Sequence, residues 1–362
     1  MDLELDATQT LLRDTLRAYL EAEVPFARIR ELERARSWDD GLWQAIVRNG
    51  WLGVPFAEAA GGAGGTLLDA GLLVEEVARR AAPVPVAEAL AVSVCCARFA
   101  PADVAAELVA ALLDGSCVPV PALLERSDEV GRVEMDIRGG AASGEKLFVD
   151  YGEFATHHLV AARDGAAPAL FRVDARSDRV VAEPLVTIGR TPSARVEYRA
   201  APAERIAGED ALRELILLLR AFAAVQCLGS AQRALEMTVR YACVRKAFGR
   251  PIGSFQAVKH HAANMATRVA ATRFLVYEAL HALARGSASP RQIAFAKASA
   301  SRTVPEVTML AHQIHGGNGV IEENDLYFFT LRGKERSLAW GSAEECLAEA
   351  AACVDEPQEW LF

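Results

Sequence analysis

Apolar positions recur at helical spacing through the first third of the chain. Leu12, Leu16, Tyr19 and Leu20 share one face of a segment that opens with Asp6 and Gln9, the spacing of a reciprocal helix cap. A second helical stretch carries Leu42, Trp43, Ile46 and Val47, with Asp39 or Asp40 able to cap it and Gly50 beyond its end. Gly61, Gly62, Gly64 and Gly65 form a loop before a helix predicted over 66–80. Pro83 and Pro85 then break the chain, and two alanine-rich helices follow that end near Gly115.

At about Cys117 the period falls to two. Val133, Met135 and Ile137 alternate with Glu134, Asp136 and Arg138, while His158-Leu-Val-Ala and Ala169-Leu-Phe-Arg-Val read as further strands. Gly131, the Gly139-Gly140 pair and Gly165 supply turns, so a small antiparallel β-domain, barrel or sandwich, is predicted. From about Glu209 the helical period returns and lasts to the end. A long helix reaches about Val244, and Gly249, Pro251 and Gly253 enforce a turn. A helix from Phe255 to about Arg285 comes next, then one that starts at Ser289-Pro290 and reaches His315, then two shorter ones. Helices, strands and helices in that order predict an α+β chain of three domains. These are an N-terminal helical domain over 1–116, a middle antiparallel β-domain over 117–206, and a C-terminal helical bundle over 207–362.

Composition narrows the function classes. The chain has 362 residues, 52% of them hydrophobic, enough for several packed units. A net charge of −9 with scattered basic residues argues against a nucleic-acid partner. Arg220 splits the most apolar run, so no stretch of about 18 apolar residues could cross a membrane. Asp2, Glu4 and Asp6 are the wrong charge for a secretory leader, and a cytoplasmic location is expected. Seven cysteines without a Cys-x-x-Cys pair suit buried thiols in a reducing compartment. His260-His261 and the pair His312 and His315 lack a completing carboxylate or thiolate, so no metal site is expected.

Two motifs carry chemistry. The first is Arg245-Lys-Ala-Phe248-Gly249 with Phe255-Gln256, and the second is Gln313-Ile-His-Gly316-Gly317-Asn-Gly319. Arg245 offers a fixed fork of donors to phosphate oxygens, and Gln256 and Gln313 carry amides able to bond ribose, phosphate or adenine edges. Gly316 and Gly317 let backbone approach a cofactor. No Gly-x-Gly-x-x-Gly follows a predicted strand, which disfavours a Rossmann site. With Gly50-Trp-Leu-Gly-Val-Pro, Glu75-Glu and Ala82-Pro-Val-Pro in the first third, the chain resembles the acyl-CoA dehydrogenase family over nearly its whole length. The resemblance implies that family's fold, with a four-helix bundle at the C-terminus. It also implies FAD as cofactor, an acyl-CoA thioester as substrate and an electron-transfer flavoprotein or similar acceptor. By the same resemblance Arg245, Phe248, Gln256, Gln313, Gly316 and Gly317 contact FAD seated mainly on a neighbouring subunit, and Arg220 lies at the substrate.

The departures are as informative as the matches. Desaturation of an acyl-CoA needs a carboxylate to take the α-proton. The family places that glutamate in a Tyr-Glu-Gly-Thr-like stretch or just before an arginine on the helix preceding the arginine motif. Here those two positions hold Trp340 and Leu219, so no catalytic acid is expected in this chain. The flavin-facing Thr-Glu-Pro-like turn is replaced by Leu124-Glu-Arg-Ser-Asp-Glu129. Gly144-Glu-Lys146-Leu-Phe148-Val-Asp150-Tyr151 resembles the family's Gly-x-Lys-x-Trp-Ile-Thr-Asn strand, but puts an acid at Asp150. The resemblance therefore implies a heteromer, of an actinobacterial type, in which a homologous subunit brings the base and the flavin cradle. Two alternatives stay open. One is a self-sufficient enzyme whose base is Glu214, Glu335 or Glu344, and the other is a non-catalytic scaffold subunit. Ala221, Ala223 and Ala224 leave room for a bulky or ring-bearing acyl group.

Overall fold

The computed structural model describes residues 4–165 and 167–353, so the last positions of the third predicted domain lie outside the described residues. Six helices come first: α1 (Ala7–Glu23), α2 (Phe26–Ala35), α3 (Asp40–Arg48), α4 (Leu67–Arg80), α5 (Val86–Phe99) and α6 (Ala102–Leu113). Eight strands follow: β1 (Pro119–Ala122), β2 (Ile137–Arg138), β3 (Ala141–Asp150), β4 (His157–Asp164), β5 (Ala167–Asp174), β6 (Val180–Pro184), β7 (Ser193–Pro202) and β8 (Glu204–Ala207). The rest is α7 (Glu209–Val244), the short pair β9 (Lys246–Ala247) and β10 (Arg250–Pro251), α8 (Gln256–Ala284), α9 (Pro290–His315), α10 (Leu326–Leu338) and α11 (Ala343–Ala352). The α+β order is the predicted one.

Helix starts follow local chemistry. Asp6 accepts the Gln9 N–H on its side chain while its own N–H donates to Gln9 Oε1, and Asp39 takes the Leu42 N–H. Thr66 with Asp69, Ser289 with Gln292 and Ser342 with Glu345 repeat the reciprocal pattern. Each such cap contributes about 1 kcal/mol by giving an orphan N–H a partner. α2 was not foreseen: its sequence is dense in charge, only Ile29 is buried, and Pro25 rather than a polar side chain precedes it.

The 36 residues of α7 make a rod of roughly 54 Å that passes through the core, against α4, α5, α8, α9 and α10. At Gly229 the α4 backbone packs against the rod, and a methyl there would lie 3.0 Å from the Arg79 nitrogen and 3.1 Å from Ala78 Cβ. Arg79 pairs across this crossing with Glu236 at 2.7 Å, and α4 is tied to α1 by Arg79 with Glu21 at 3.0 Å and Arg17 with Glu76 at 2.6 Å.

The β-region is two four-stranded sheets, ordered β1-β4-β5-β8 and β2-β3-β7-β6, with Val120, Val160, Phe171, Val149, Val196 and Tyr198 in a shared core. Two expectations change here. The domain is not wholly antiparallel, because β1 pairs with β4 in parallel. The strand expected from Val133 shrinks to Ile137–Arg138. The buried Glu125 carboxylate takes the N–H groups of Glu134 and Met135 that a ladder would have used, and Lys146 neutralises it at 2.5 Å.

Candidate active site

The two sequence motifs, Arg245–Gln256 and Gln313–Gly319, meet at the ends of α7 and α9. Arg245 leaves α7 in extended conformation, and β9 and β10 form a hairpin whose turn residues, Phe248 and Gly249, both have positive φ (52° and 79°). That turn puts Phe248 94% in solvent, braced edge-on by Phe255, over which Arg250 lies at 4.2 Å. α9 stops at Gly316, whose φ of 60° and ψ of −143° suit only glycine. No atom lies within 4 Å of a side chain built on Gly316 or Gly317.

Between these ends lies an open cleft of about 570 Å³ lined by Tyr241, Arg245, Ile252, Ile314, His315, Gly316, Gly317 and Asn318. It brings together Arg245, Gly316 and Gly317, while Gln256, Gln313 and Phe248 are exposed and are not among its lining residues. Tyr241 and His315 were not singled out from the sequence. Their rings stack with centroids 4.3 Å apart, and His315 Nε2 is buried without a protein partner. Tyr241 stands four residues before Arg245, the same helix face, which is the signal that would have found it. A fork of guanidinium donors, bare glycine backbone and an unpartnered ring nitrogen fit a phosphate-bearing cofactor.

The two positions expected to carry the catalytic acid also converge, at the other end of α10. Arg220, beside Leu219 on α7, donates from Nε to the carbonyl of Trp340 at 2.8 Å and pairs with Glu349 at 2.7 Å. Lys297, wholly buried, donates from Nζ to Ser301, to Ser337 and to the Gly341 carbonyl at 2.8–2.9 Å. Burial lowers the Lys297 pKa. Trp340 and Gly341 are both left-handed (φ 61° and 113°), so two cations clamp a strained loop that carries no acid. Arg220 is buried with its donors engaged within the chain.

Where the β-region meets α10, Phe148 is half exposed at an irregularity in β3, with φ 52°. Asp150 lies largely out of solvent against Arg336 at 2.6 Å, and Arg336 also reaches Glu335 at 2.9 Å and Glu88 at 3.6 Å. Burial raises the Asp150 pKa against the pull of Arg336, and burial together with Asp150 pushes Glu88 up to about 7. Burial opposes charge on Arg336, but the three carboxylates outweigh it. A cavity of only about 50 Å³ remains here, among the alanines and valines of α4 and α5, lined on its polar side by Glu88, Tyr151, Gln226, Arg332 and Arg336. Ligand sites run roughly 300–1,000 Å³.

The alternative bases are placed elsewhere. Glu214 pairs with Arg98, and Glu344 is exposed beside Arg302. Glu335 takes the Gly189 N–H at 2.7 Å and the Thr191 hydroxyl at 2.9 Å. Burial opposes its charge, but Arg336, with the Gly189 N–H, holds its pKa low. Ala221, Ala223 and Ala224 are buried in the helical core. Among the described residues no group of His, Cys, Asp or Glu could hold a metal ion, and no helix is long and apolar enough to cross a membrane.

Comparison with known proteins decides the family. Residues 6–116 match the acyl-CoA dehydrogenase N-terminal domain and residues 207–344 the acyl-CoA dehydrogenase C-terminal domain. The chain belongs to the acyl-CoA dehydrogenase family. It is therefore a member of a class of FAD-dependent oxidoreductases that act on acyl-CoA. Acyl-CoA dehydrogenase IpdE2 of Mycobacterium tuberculosis is 28% identical over 341 residues, covering 92% of this chain and 91% of its own. Among solved structures, the Tcur3481–Tcur3483 steroid ACAD is 30% identical, with a TM-score of 0.89 over 95% of this chain and 97% of that one. The ChsE4–ChsE5 complex from Mycobacterium tuberculosis is 25% identical, with a TM-score of 0.92 over 99% of this chain and 100% of that one. Both of these relatives are described as pairs of chains.

Proposed function

We propose that this chain is the subunit of a heteromeric acyl-CoA dehydrogenase that reaches across the interface to FAD, while a homologous partner supplies the catalytic glutamate and the seat of the flavin ring. FAD, when bound, would supply the acceptor for the hydride of the β-carbon as the α-proton is removed. This chain's residues bind and orient rather than transfer the proton. Arg245, Gly316 and Gly317 form the arm that meets the adenine dinucleotide, with Gln256, Gln313 and Phe248 on the face the partner covers. The observation that carries the reading is the clamped loop: both places for a base meet at Arg220 and Lys297, and they hold Trp340 and Leu219. The small cavity beside Arg336 supports it, since an acyl chain finds no room there.

The two-chain relatives favour a partner of the same family, and the steroid relative favours a ring-bearing acyl group. An electron-transfer flavoprotein is the fitting acceptor, and the cytoplasm the fitting compartment. The test is purification of the tagged chain alone and from its native host, with flavin spectra of both. The single chain should be colourless and the complex yellow, with one FAD for each pair of unlike chains. Stoichiometric FAD on the single chain, reduced by an acyl-CoA, would overturn the reading.

A further inference from the structure

The unpartnered nitrogen of His315 has a definable protonation state. Asn324 receives the Leu326 N–H on Oδ1 at 3.0 Å and donates from Nδ2 to the Asn318 carbonyl at 2.9 Å, which sets the orientation of its amide. The same Nδ2 faces His315 Nδ1 at 3.4 Å. An amide nitrogen can only donate, so Nδ1 is the acceptor and the ring proton sits on Nε2. Burial, with His312 nearby, lowers the pKa and so disfavours the charged ring. The ring is 6% exposed, stacked on Tyr241 with 12° between planes, and it lines the cleft beside Arg245. A buried N–H donor without an acceptor is costly to a fold, and here nothing among the described residues satisfies it.

We propose that His315 is a further cofactor ligand: its Nε2–H, set by Asn324 and held by the Tyr241 ring, donates to a phosphate oxygen of the adenine dinucleotide that Arg245 also bonds. The inference rests on the cross-interface reading above. It adds that the third residue of the Gln-Ile-His-Gly-Gly motif reads the anion, and that Tyr241 and Asn324 are positioning residues.

The experiment titrates FAD into the flavin-stripped complex, purified through a tag on this chain, with flavin fluorescence as readout and thermal unfolding of the stripped complex as a control. His315→Phe keeps a stacked ring and removes the donor; His315→Gln keeps a donor near the same place. The Phe variant should bind FAD roughly tenfold or more weakly with an unchanged unfolding midpoint, and the Gln variant should recover most of the loss. Wild-type affinity in His315→Phe, with weakened binding in Arg245→Ala, overturns the His315 assignment and leaves the cross-interface reading standing. Wild-type affinity in Arg245→Ala as well overturns both. A structure of the FAD-loaded wild-type complex gives a reading free of folding defects. Nε2 within about 3.2 Å of a phosphate oxygen supports the proposal, and a partner other than phosphate overturns it.

Discussion

Glu88→Gln should stabilise this chain at high pH, because Glu88 is a carboxylate buried faster than it is paired. It is 3% exposed, its Oε2 has no partner among the described residues, and Arg336, 3.6 Å away, is already held by Asp150 and Glu335. Tyr151, Gln226 and Arg332 complete its surroundings. Burial, reinforced by Asp150, raises its pKa from the ordinary 4.5 to about 7. A group whose folded pKa is raised contributes stability that is fully present below the unfolded value and lost as pH rises through the folded one. At roughly 1.4 kcal/mol per pH unit, ionising Glu88 costs the fold about 1 kcal/mol at pH 5 and about 3 kcal/mol at pH 8. Asp150, also raised by burial, adds to the same trend. Gln keeps the shape and cannot ionise. Urea unfolding of the purified chain, followed by tryptophan fluorescence from pH 5 to 8, should show wild-type stability falling by about 2–3 kcal/mol, and a flatter profile for Glu88→Gln that crosses above it. A parallel pH profile, or a variant less stable than wild type at pH 8, would mean that Glu88 is well paired and that the argument from its orphan oxygen is wrong.

Arg245→Ala should weaken FAD binding by the assembled complex roughly tenfold to a hundredfold, measured by flavin titration, because it removes a charge-assisted bidentate bond. Gly229→Ala should destabilise the chain by about 1–3 kcal/mol, read as a lowered unfolding midpoint, since its methyl meets the α4 backbone at Arg79 and the Glu75 carbonyl, which cannot yield. Glu214→Gln, Glu335→Gln and Glu344→Gln should each leave turnover of the complex within about tenfold, below the 10²–10⁴-fold of a positioned acid or base. In contrast, Gln in place of the partner's catalytic glutamate should abolish turnover.

What was legible in the sequence was local or periodic. The caps at Asp6 and Ser289, the long apolar helices and the change of period near Cys117 appear where the residues say, because a cap or a helical face needs only neighbours within four positions. The two glycine-bearing motifs announced the family for the same reason: their backbone demands are written in adjacent residues. What stayed hidden depends on groups far apart in the chain. Glu125 dissolved a predicted strand by taking N–H groups nine and ten residues away, and β1 found a parallel neighbour in β4. The buried set of Glu88, Asp150, Glu335 and Arg336 spans three regions of sequence, and none of its members looks unusual alone. The missing acid at Trp340 and Leu219 could be read from the residues themselves. Only the tertiary structure brings those two sites together under Arg220 and Lys297, and only it leaves His315 a donor without an acceptor. Whether a polar group is paired depends on what packing brings to it, and packing is a property of the whole chain.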